Sequence, residues 1–125
     1  MKRSIRSDLA PAPIGPYSQA IESGGIIYVS GQIPIDPKIN ELVKGGIREQ
    51  TERVMENLKA VLAQSGASME DVVMTFVYLI DLNDFQGYNE VYEKYFKEPP
   101  ARVTVQVSAL PRGARVELAA IAHKS

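Results

Sequence analysis

Apolar and polar residues alternate along the segment Arg102–Ser108. Successive side chains of an extended strand point to opposite faces, so Val103, Val105 and Val107 share one face, and we predict that they face the core. The other face carries Arg102, Thr104, Gln106 and Ser108. A guanidinium on that face suits bidentate binding of a small carboxylate, whereas simple exposure to water is the commoner arrangement for the polar face of a strand.

The hydrophobic pattern of the whole chain predicts six strands and two helices, in the order strand, strand, strand, helix, strand, helix, strand, strand. The predicted strands are Arg3–Arg6, Tyr17–Glu22, Ile26–Ser30, Val72–Ile80, Arg102–Ser108 and Arg115–Ala122. The run Val72–Ile80 is continuously apolar, which is typical of a strand buried on both faces near the middle of a sheet. Proline-rich segments at Ala10–Pro16 and Pro34–Asn40 are predicted to be loops, because proline lacks the backbone donor and fixes φ.

Two segments show helical periodicity. The first begins at Ile47, repeats apolar residues through Leu62 and ends at Ser65-Gly66, which supplies a helix stop. The second follows cap candidates at Asp81–Asp84 and carries an aromatic stripe that we assign to the core: Phe85, Tyr88, Tyr92, Tyr95 and Phe96. Asn89 lies one position off this stripe, where a solvated residue is the commoner case.

Glu117 is the second candidate functional residue. In the last predicted strand it shares a face with Ala119 and Ile121, so its carboxylate is not expected to be fully hydrated. It could act as a base that holds a water molecule. The alternative is a strand-end acid that pairs with Arg112 or Arg115 at the surface.

Composition narrows the possible functions. A chain of 125 residues corresponds to a single domain, residues 1–125, and its formal net charge of −1 comes from scattered charges, which disfavours a nucleic-acid partner. There is no cysteine, and the single histidine, His123, is the third residue from the C-terminus, where chains tend to fray. Thiol chemistry, metal clusters and histidine-based catalysis are therefore disfavoured. We predict no bound metal.

The sequence has no apolar run that suggests a secretory signal or a membrane span. This predicts a cytoplasmic protein with no membrane partner.

Several blocks together resemble the reactive intermediate imine deaminase family. The residues that carry the resemblance are Ala12–Ala20, Val29–Pro34, Gln50–Thr51 with Asn57–Leu62, Asp81–Phe85 with Tyr88–Tyr92, and Pro100–Arg102 with Val116–Glu117. The blocks appear in the expected order over nearly the whole chain. This makes the resemblance far more specific than one short motif.

The resemblance implies an α+β, chorismate-mutase-like fold, a mixed six-stranded sheet with two helices packed on one face. It also implies a homotrimer with clefts between subunits. The implied activity is hydrolysis of 2-imino acids, such as 2-iminobutanoate and 2-iminopropanoate, to 2-oxo acids and ammonia. These imines form by tautomerisation of enamines, and no cofactor is implied.

The resemblance also implies roles for individual residues. Arg102 would bind the substrate carboxylate, with the Gly31 N–H and the Thr104 side chain near the same end, and Glu117 would position and polarise the attacking water. Tyr17, Ser30 and Asn89 would line the pocket. The chain departs from the family pattern at Ile39-Asn40, where Thr-Gly is usual, at Val103, where a small polar residue is common, and at Ala119, where a second acid is common.

Two other functions remain open from the sequence. A trimer of the same fold could use the Arg102 pocket to bind a 2-oxo acid without turnover. RNA cleavage or inhibition of translation, proposed for relatives, is disfavoured by the near-neutral charge and by the absence of a base–acid histidine pair. If the last two strands form a simple hairpin, Arg102 and Glu117 are offset along it.

Overall fold

A computed structural model describes all 125 residues. It contains eight strands and two helices. The strands are β1 (Arg3–Ile5), β2 (Ala20–Ser23), β3 (Ile26–Gln32), β4 (Ile35–Asp36), β5 (Glu41–Leu42), β6 (Val72–Leu79), β7 (Ala101–Gln106) and β8 (Val116–His123). The helices are α1 (Ile47–Gln64) and α2 (Phe85–Tyr95). The predicted order of elements is confirmed, with β4 and β5 as additions.

Six strands form one mixed sheet in the order β1-β2-β3-β8-β6-β7. Strands β6 and β7 run parallel, and every other neighbouring pair is antiparallel. The α+β six-stranded sheet with two helices is therefore confirmed. Because β6 lies between β7 and β8, the last two strands do not form the hairpin that their proximity in sequence suggested.

Both helices cover the same face of this sheet. Helix α1 buries the apolar stripe predicted from its periodicity, including Val54, Leu58, Val61 and Leu62, and contacts β3 and β8. Helix α2 reaches the same face, where the hydroxyl groups of Tyr92 and Thr75 are 2.8 Å apart. The predicted stop of α1 is also confirmed, since Ser65 caps the helix and Gly66 adopts a φ of 83°.

The valines of β7 do not face the core, so this prediction is wrong. Val103 is 45% exposed and Val105 is 39% exposed, while Arg102 and Thr104 point to the helix-covered face. The register explains the reversal, because Arg102 pairs with buried Thr75 and Thr104 pairs with buried Val77. Alternation defines two faces of a strand but not which of them the helices cover.

Strand β6 is buried on one face only, which corrects the prediction of burial on both. Thr75, Val77 and Leu79 are fully buried against the helices, whereas Phe76 and Tyr78 are only partly covered. In the sheet order β6 is an inner strand next to the edge strand β7, and the two central strands are β3 and β8.

The uncovered side of the sheet carries a largely apolar surface, which we call the open face. Its members are Tyr28, Phe76, Tyr78, Val103, Val105, Ile121 and the single acid Glu117. They share this side because their register partners alternate with the buried residues. A contiguous exposed apolar surface of this kind marks an interaction site in many proteins.

One loop prediction and one strand prediction need correction. Pro34–Asn40 is not wholly irregular, because Ile35 and Asp36 pair with Leu42 and Glu41 in a short hairpin. Asn40 turns this hairpin with a φ of 55°, a conformation that asparagine tolerates better than most residues, which accounts for Asn at a position where the family usually has Gly. Strand β2 begins at Ala20, so Tyr17 lies in the preceding loop rather than in a strand.

No helix has the length and apolar character needed to cross a membrane.

Candidate active site

The guanidinium of Arg102 lies among three aromatic rings of α2. Its Cζ is 4.8 Å from the ring centroid of Tyr92, 5.4 Å from that of Phe85 and 5.7 Å from that of Tyr88. Distances below about 6 Å are favourable for cation–π attraction. The aromatic stripe was predicted to be core. Tyr88 and Tyr92 are buried, but Phe85 is 40% exposed, which corrects that prediction for its first member, and the rings also hold the cation. The sequence feature that indicates this arrangement is the spacing of the aromatic residues along one side of the helix that also carries Asn89.

Asn89 fixes one edge of this guanidinium, because its Oδ1 accepts a hydrogen bond of 2.8 Å from Arg102 Nη1. Asn89 is therefore not the solvated helix residue that its position made the commoner case. Arg102 forms no salt bridge with any acid of the chain. A guanidinium has five N–H donors, so the donors not bonded to Asn89 can bind an anion.

Two buried hydroxyls near Arg102 have no hydrogen-bond partner: Tyr88 Oη and Thr104 Oγ1. Burial raises the pKa of Tyr88 far above its usual value, although the adjacent Arg102 opposes part of that shift. Thr104 shares the face of Arg102, two residues further along β7. Unpaired buried hydroxyls are uncommon and are found where a ligand or water completes the site.

A second cluster surrounds Glu117 on the open face, in a cavity of about 350 Å³. Its polar lining comes from Tyr17, Ser30, Gly31 and Glu117, and its apolar lining comes from Ile14, Ile33 and Pro111. The family resemblance implied pocket roles for all four residues of the first group and for none of the second. It placed the Gly31 N–H near Arg102, whereas within the chain Gly31 lies against Glu117. Ile14 lies in a loop and Pro111 begins a single 3₁₀ turn, Pro111–Gly113, and no periodicity in such short connections marks which residues face a cavity.

The Glu117 carboxylate has neither of the surface partners considered from the sequence. Arg115 instead binds Asp84 in a bidentate ion pair, with its Nη2 2.8 Å from Oδ1, and Arg112 donates to the Asn40 carbonyl at 3.0 Å. Burial raises the pKa of Glu117 above its ordinary value. A carboxylate with a raised pKa is a stronger base once ionised, which suits activation of water.

Gly31 provides the space that Glu117 occupies. A Cβ at position 31 would overlap Glu117 Oε2 and lie 2.8 Å from its Cδ. Gly31 and Ser30 lie at an irregularity in the pairing of β3 with β8, where the register shifts between Val29 and Gln32. Bulges of this kind re-aim side chains beside functional sites.

Hydrogen bonds fix the loop that carries Tyr17. The buried Gln19 side chain accepts from the Ser7 N–H at 2.7 Å and donates to the Pro11 carbonyl at 2.8 Å. The Ser30 hydroxyl donates to the Ser18 carbonyl at 2.6 Å. The N-terminal segment is thereby tied to β3 next to the cavity. Gln19 lies within the family-like block Ala12–Ala20, but nothing in its own position predicted this role.

The two clusters do not meet within one chain. Arg102, Asn89 and Thr104 lie on the helix side of the sheet, whereas Glu117, Ser30 and Gly31 lie with the open face. The family resemblance implied that all of these residues line one pocket in a cleft between subunits. We refer to the two clusters as the Arg102 half-site and the Glu117 half-site. No three His, Cys, Asp or Glu side chains are grouped in a way that could hold a metal ion.

Comparison with known proteins identifies the family. Residues 7–124 match the family described as Endoribonuclease L-PSP, and the chain belongs to that family. It is 60% identical to a RutC family protein of Saccharolobus solfataricus over the full length of both chains. It is 47% identical to the 2-iminobutanoate/2-iminopropanoate deaminase of Dermatophagoides farinae, covering 96% of this chain and 94% of the relative.

Solved structures have the same fold. A member of the Rid protein family from Yersinia pestis superimposes with a TM-score of 0.96 at 46% identity, covering 98% of this chain and 99% of the other. E. coli TdcF, solved with bound serine, gives a TM-score of 0.94 at 38% identity, with 98% of this chain and 99% of the other covered.

Proposed function

We propose that the protein hydrolyses 2-imino acids, such as 2-iminobutanoate and 2-iminopropanoate, to 2-oxo acids and ammonia. The observation that carries the proposal is that Arg102 and Glu117 each lack a partner of opposite charge within the chain. A short substrate with a carboxylate at one end and an electrophilic carbon beside it would use both groups. The deaminase names of relatives support this assignment, and serine bound to one relative supports a small amino-acid-like ligand.

Arg102 would bind the carboxylate through the edge of its guanidinium that faces away from Asn89. The rings of Phe85, Tyr88 and Tyr92 restrict its rotation, so little side-chain entropy is lost when the anion binds. Thr104 Oγ1, which has no partner in the protein, would donate to the same carboxylate. A charged hydrogen bond of this kind contributes about 1.5–3 kcal/mol.

Glu117 would hold and deprotonate the attacking water. The water oxygen bonds to the imine carbon while Glu117 takes a water proton, and the C=N electron pair moves to nitrogen. Glu117 returns that proton to nitrogen, and the C–N bond of the carbinolamine breaks. As C=O forms, Glu117 takes the remaining hydroxyl proton and passes it to the departing ammonia, which leaves as ammonium. The iminium carbon is already electrophilic, so orientation and one general base are sufficient. Tyr17, Ser30 and the Gly31 backbone would line the space around this carbon.

We further propose that a second copy of the chain completes the site, in a homotrimer with clefts between subunits. The two half-sites lie on opposite sides of the sheet, so one chain cannot present both to one small molecule. Exposed apolar residues adjoin each half-site, including Phe85 near Arg102 and Ile14 near Glu117. The open face, with Val103 and Tyr28 about half exposed, supplies apolar surface for the contact.

Mixing two inactive variants tests the reaction and the shared site together. Arg102→Ala and Glu117→Gln should each be inactive when threonine dehydratase supplies iminobutanoate and oxo-acid formation is followed. Subunits exchanged by denaturation and renaturation at equal ratio should recover roughly a quarter of the sites, because an intact site needs Arg102 from one subunit and Glu117 from its neighbour. Each variant refolded alone is the control. No recovery in the mixture would contradict the shared site.

A binding protein without turnover would use the same two half-sites. It would bind 2-oxobutanoate in calorimetry yet leave imine hydrolysis at the rate of free solution. RNA cleavage has no support from the half-sites, because the only histidine, His123, pairs with Ile26 at the far end of β8 and lies outside both of them.

A further inference from the structure

The hydroxyl proton of Ser30 is already used within the protein. Ser30 Oγ donates to the carbonyl oxygen of Ser18 at 2.6 Å, a short bond that ties β3 to the N-terminal loop. A serine hydroxyl has one donor and two acceptor lone pairs. Towards the cavity, Ser30 therefore offers only an acceptor.

The other polar side chains of this cavity are also rich in acceptors. Glu117 is an acceptor through both oxygens when ionised, and no group of the chain donates to it or forms an ion pair with it. The Tyr17 hydroxyl accepts from the Ile14 N–H at 3.3 Å and keeps its own proton and one lone pair. The cavity wall formed by β3 and β8 thus presents lone pairs from two side chains, Ser30 and Glu117.

The Arg102 half-site has the opposite polarity. Its guanidinium presents only N–H donors, and the Asn89 oxygen that could accept is already bonded to it. A protonated 2-imino acid is polarised in the matching way, with carboxylate acceptors at one end and N–H donors on the adjacent nitrogen. Donor and acceptor patterns therefore orient the ligand in one direction.

We propose that the Glu117 half-site is a subsite for a cationic N–H group, with Ser30 Oγ as an acceptor for the nitrogen of a protonated imine or of the ammonium of a 2-amino acid. The placement rests on the proposed function in two respects: Arg102 takes the carboxylate, and a second copy of the chain brings Arg102 beside the Glu117 half-site. A 2-oxo acid has no N–H donor, so it loses the Ser30 contact. The site then favours the imine over the product, which aids product release.

Two ligands of the same length separate this proposal from carboxylate binding. Calorimetric titration of the unmodified protein with 2-aminobutanoate and with 2-oxobutanoate compares the nitrogen end alone, because both share the carbon chain and the carboxylate. We expect 2-aminobutanoate to bind about tenfold more tightly, as one charged hydrogen bond implies. Equal binding, tighter binding of the oxo acid, or no binding of the amino acid at millimolar concentration would overturn the proposal.

Ser30→Ala then tests the residue itself. It should weaken 2-aminobutanoate about tenfold and leave 2-oxobutanoate within about twofold of the unmodified protein. Ser4→Ala is the matched control, because the Ser4 hydroxyl also bonds residue 18, at 3.0 Å to Ser18 Oγ, but lies outside the cavity. Equal weakening of both ligands by Ser30→Ala would indicate a structural role and overturn the assignment.

These titrations need no turnover, so they distinguish two kinds of failure. A protein that prefers the amino acid through Ser30 but does not hydrolyse imines would retain this subsite and lose the proposed reaction. A protein that hydrolyses imines with no preference at Ser30 would keep the reaction and lose the subsite.

Discussion

The Arg102 and Glu117 half-sites are built in different ways. Arg102 projects from an edge strand into a cradle of aromatic rings on one helix, and an amide oxygen fixes its edge. Glu117 projects from a central strand into a cavity bounded by loops and a strand irregularity, and nothing in the chain pairs with it. Neighbouring side chains hold the Arg102 guanidinium in place. The Glu117 carboxylate has no partner in the chain and is free to accept a proton. The proposed function therefore assigns binding and chemistry to separate elements of the fold.

The largest expected difference between the half-sites concerns the chemical step. Glu117→Gln should lower kcat about 10²- to 10⁴-fold, the range for loss of a general base, while KM changes little because the carboxylate contact remains. Steady-state kinetics of imine hydrolysis measure this directly. Glu41→Gln, on an exposed acid of β5, is the matched control.

The same variant should not be less stable than the parent. Burial raises the pKa of Glu117, so its ionised form opposes folding at neutral pH, and neutral glutamine removes that cost. Thermal unfolding checks this expectation. A marked fall in Tm together with the loss of kcat would indicate that Glu117 is structural, contrary to the role proposed for it.

A smaller effect is expected when Glu117 is displaced rather than removed. Gly31→Ala would place a methyl group 3.1 Å from Glu117 Cγ and closer still to its carboxyl group, so the carboxylate must move. Misplacement of about 1 Å can lower kcat up to about 10²-fold. Kinetics and a crystal structure of the variant would test this. Gly46→Ala is the control, because its nearest contact would be 3.8 Å away; equal effects at both positions would contradict the proposed role of Gly31.

The smallest of these effects is expected at the other half-site. Arg102→Lys keeps the positive charge but loses the planar fork and its stacking on the rings, so KM should rise about tenfold with a weaker effect on kcat. Arg6→Lys, at an exposed arginine, is the control. If Arg102→Lys lowered kcat as strongly as Glu117→Gln with no change in KM, the division between binding and chemistry would be wrong.

Much of the fold followed from local patterns. The spacing of Val54, Leu58 and Val61 predicted α1 and its buried side, and Ser65-Gly66 predicted its end. The glycines at Gly24 and Gly25 turn the β2–β3 hairpin with positive φ, as expected from a turn between two strands. These features depend on residues close in sequence, so a local pattern is sufficient to predict them.

The candidate residues were predicted by resemblance, but their arrangement was not. Tyr17, Ser30, Gly31 and Glu117 do line one cavity, and Asn89 does bond Arg102. The aromatic cradle was missed because a helical aromatic stripe normally indicates core. The relative placement of Arg102 and Glu117 was left open by the sequence, because it depends on the order of strands in the sheet, in which β6 lies between β7 and β8.

The amino-acid sequence by itself determined the elements, the two faces of each strand and the residues available for chemistry. Only the tertiary structure decided that Arg102 rather than Val103 faces the helices, and that Glu117 lies on the other side of the sheet. The physical reason is that alternation is a local property with two equivalent outcomes. Which outcome is realised depends on strand order and helix packing, and these are set by contacts between residues far apart in the chain.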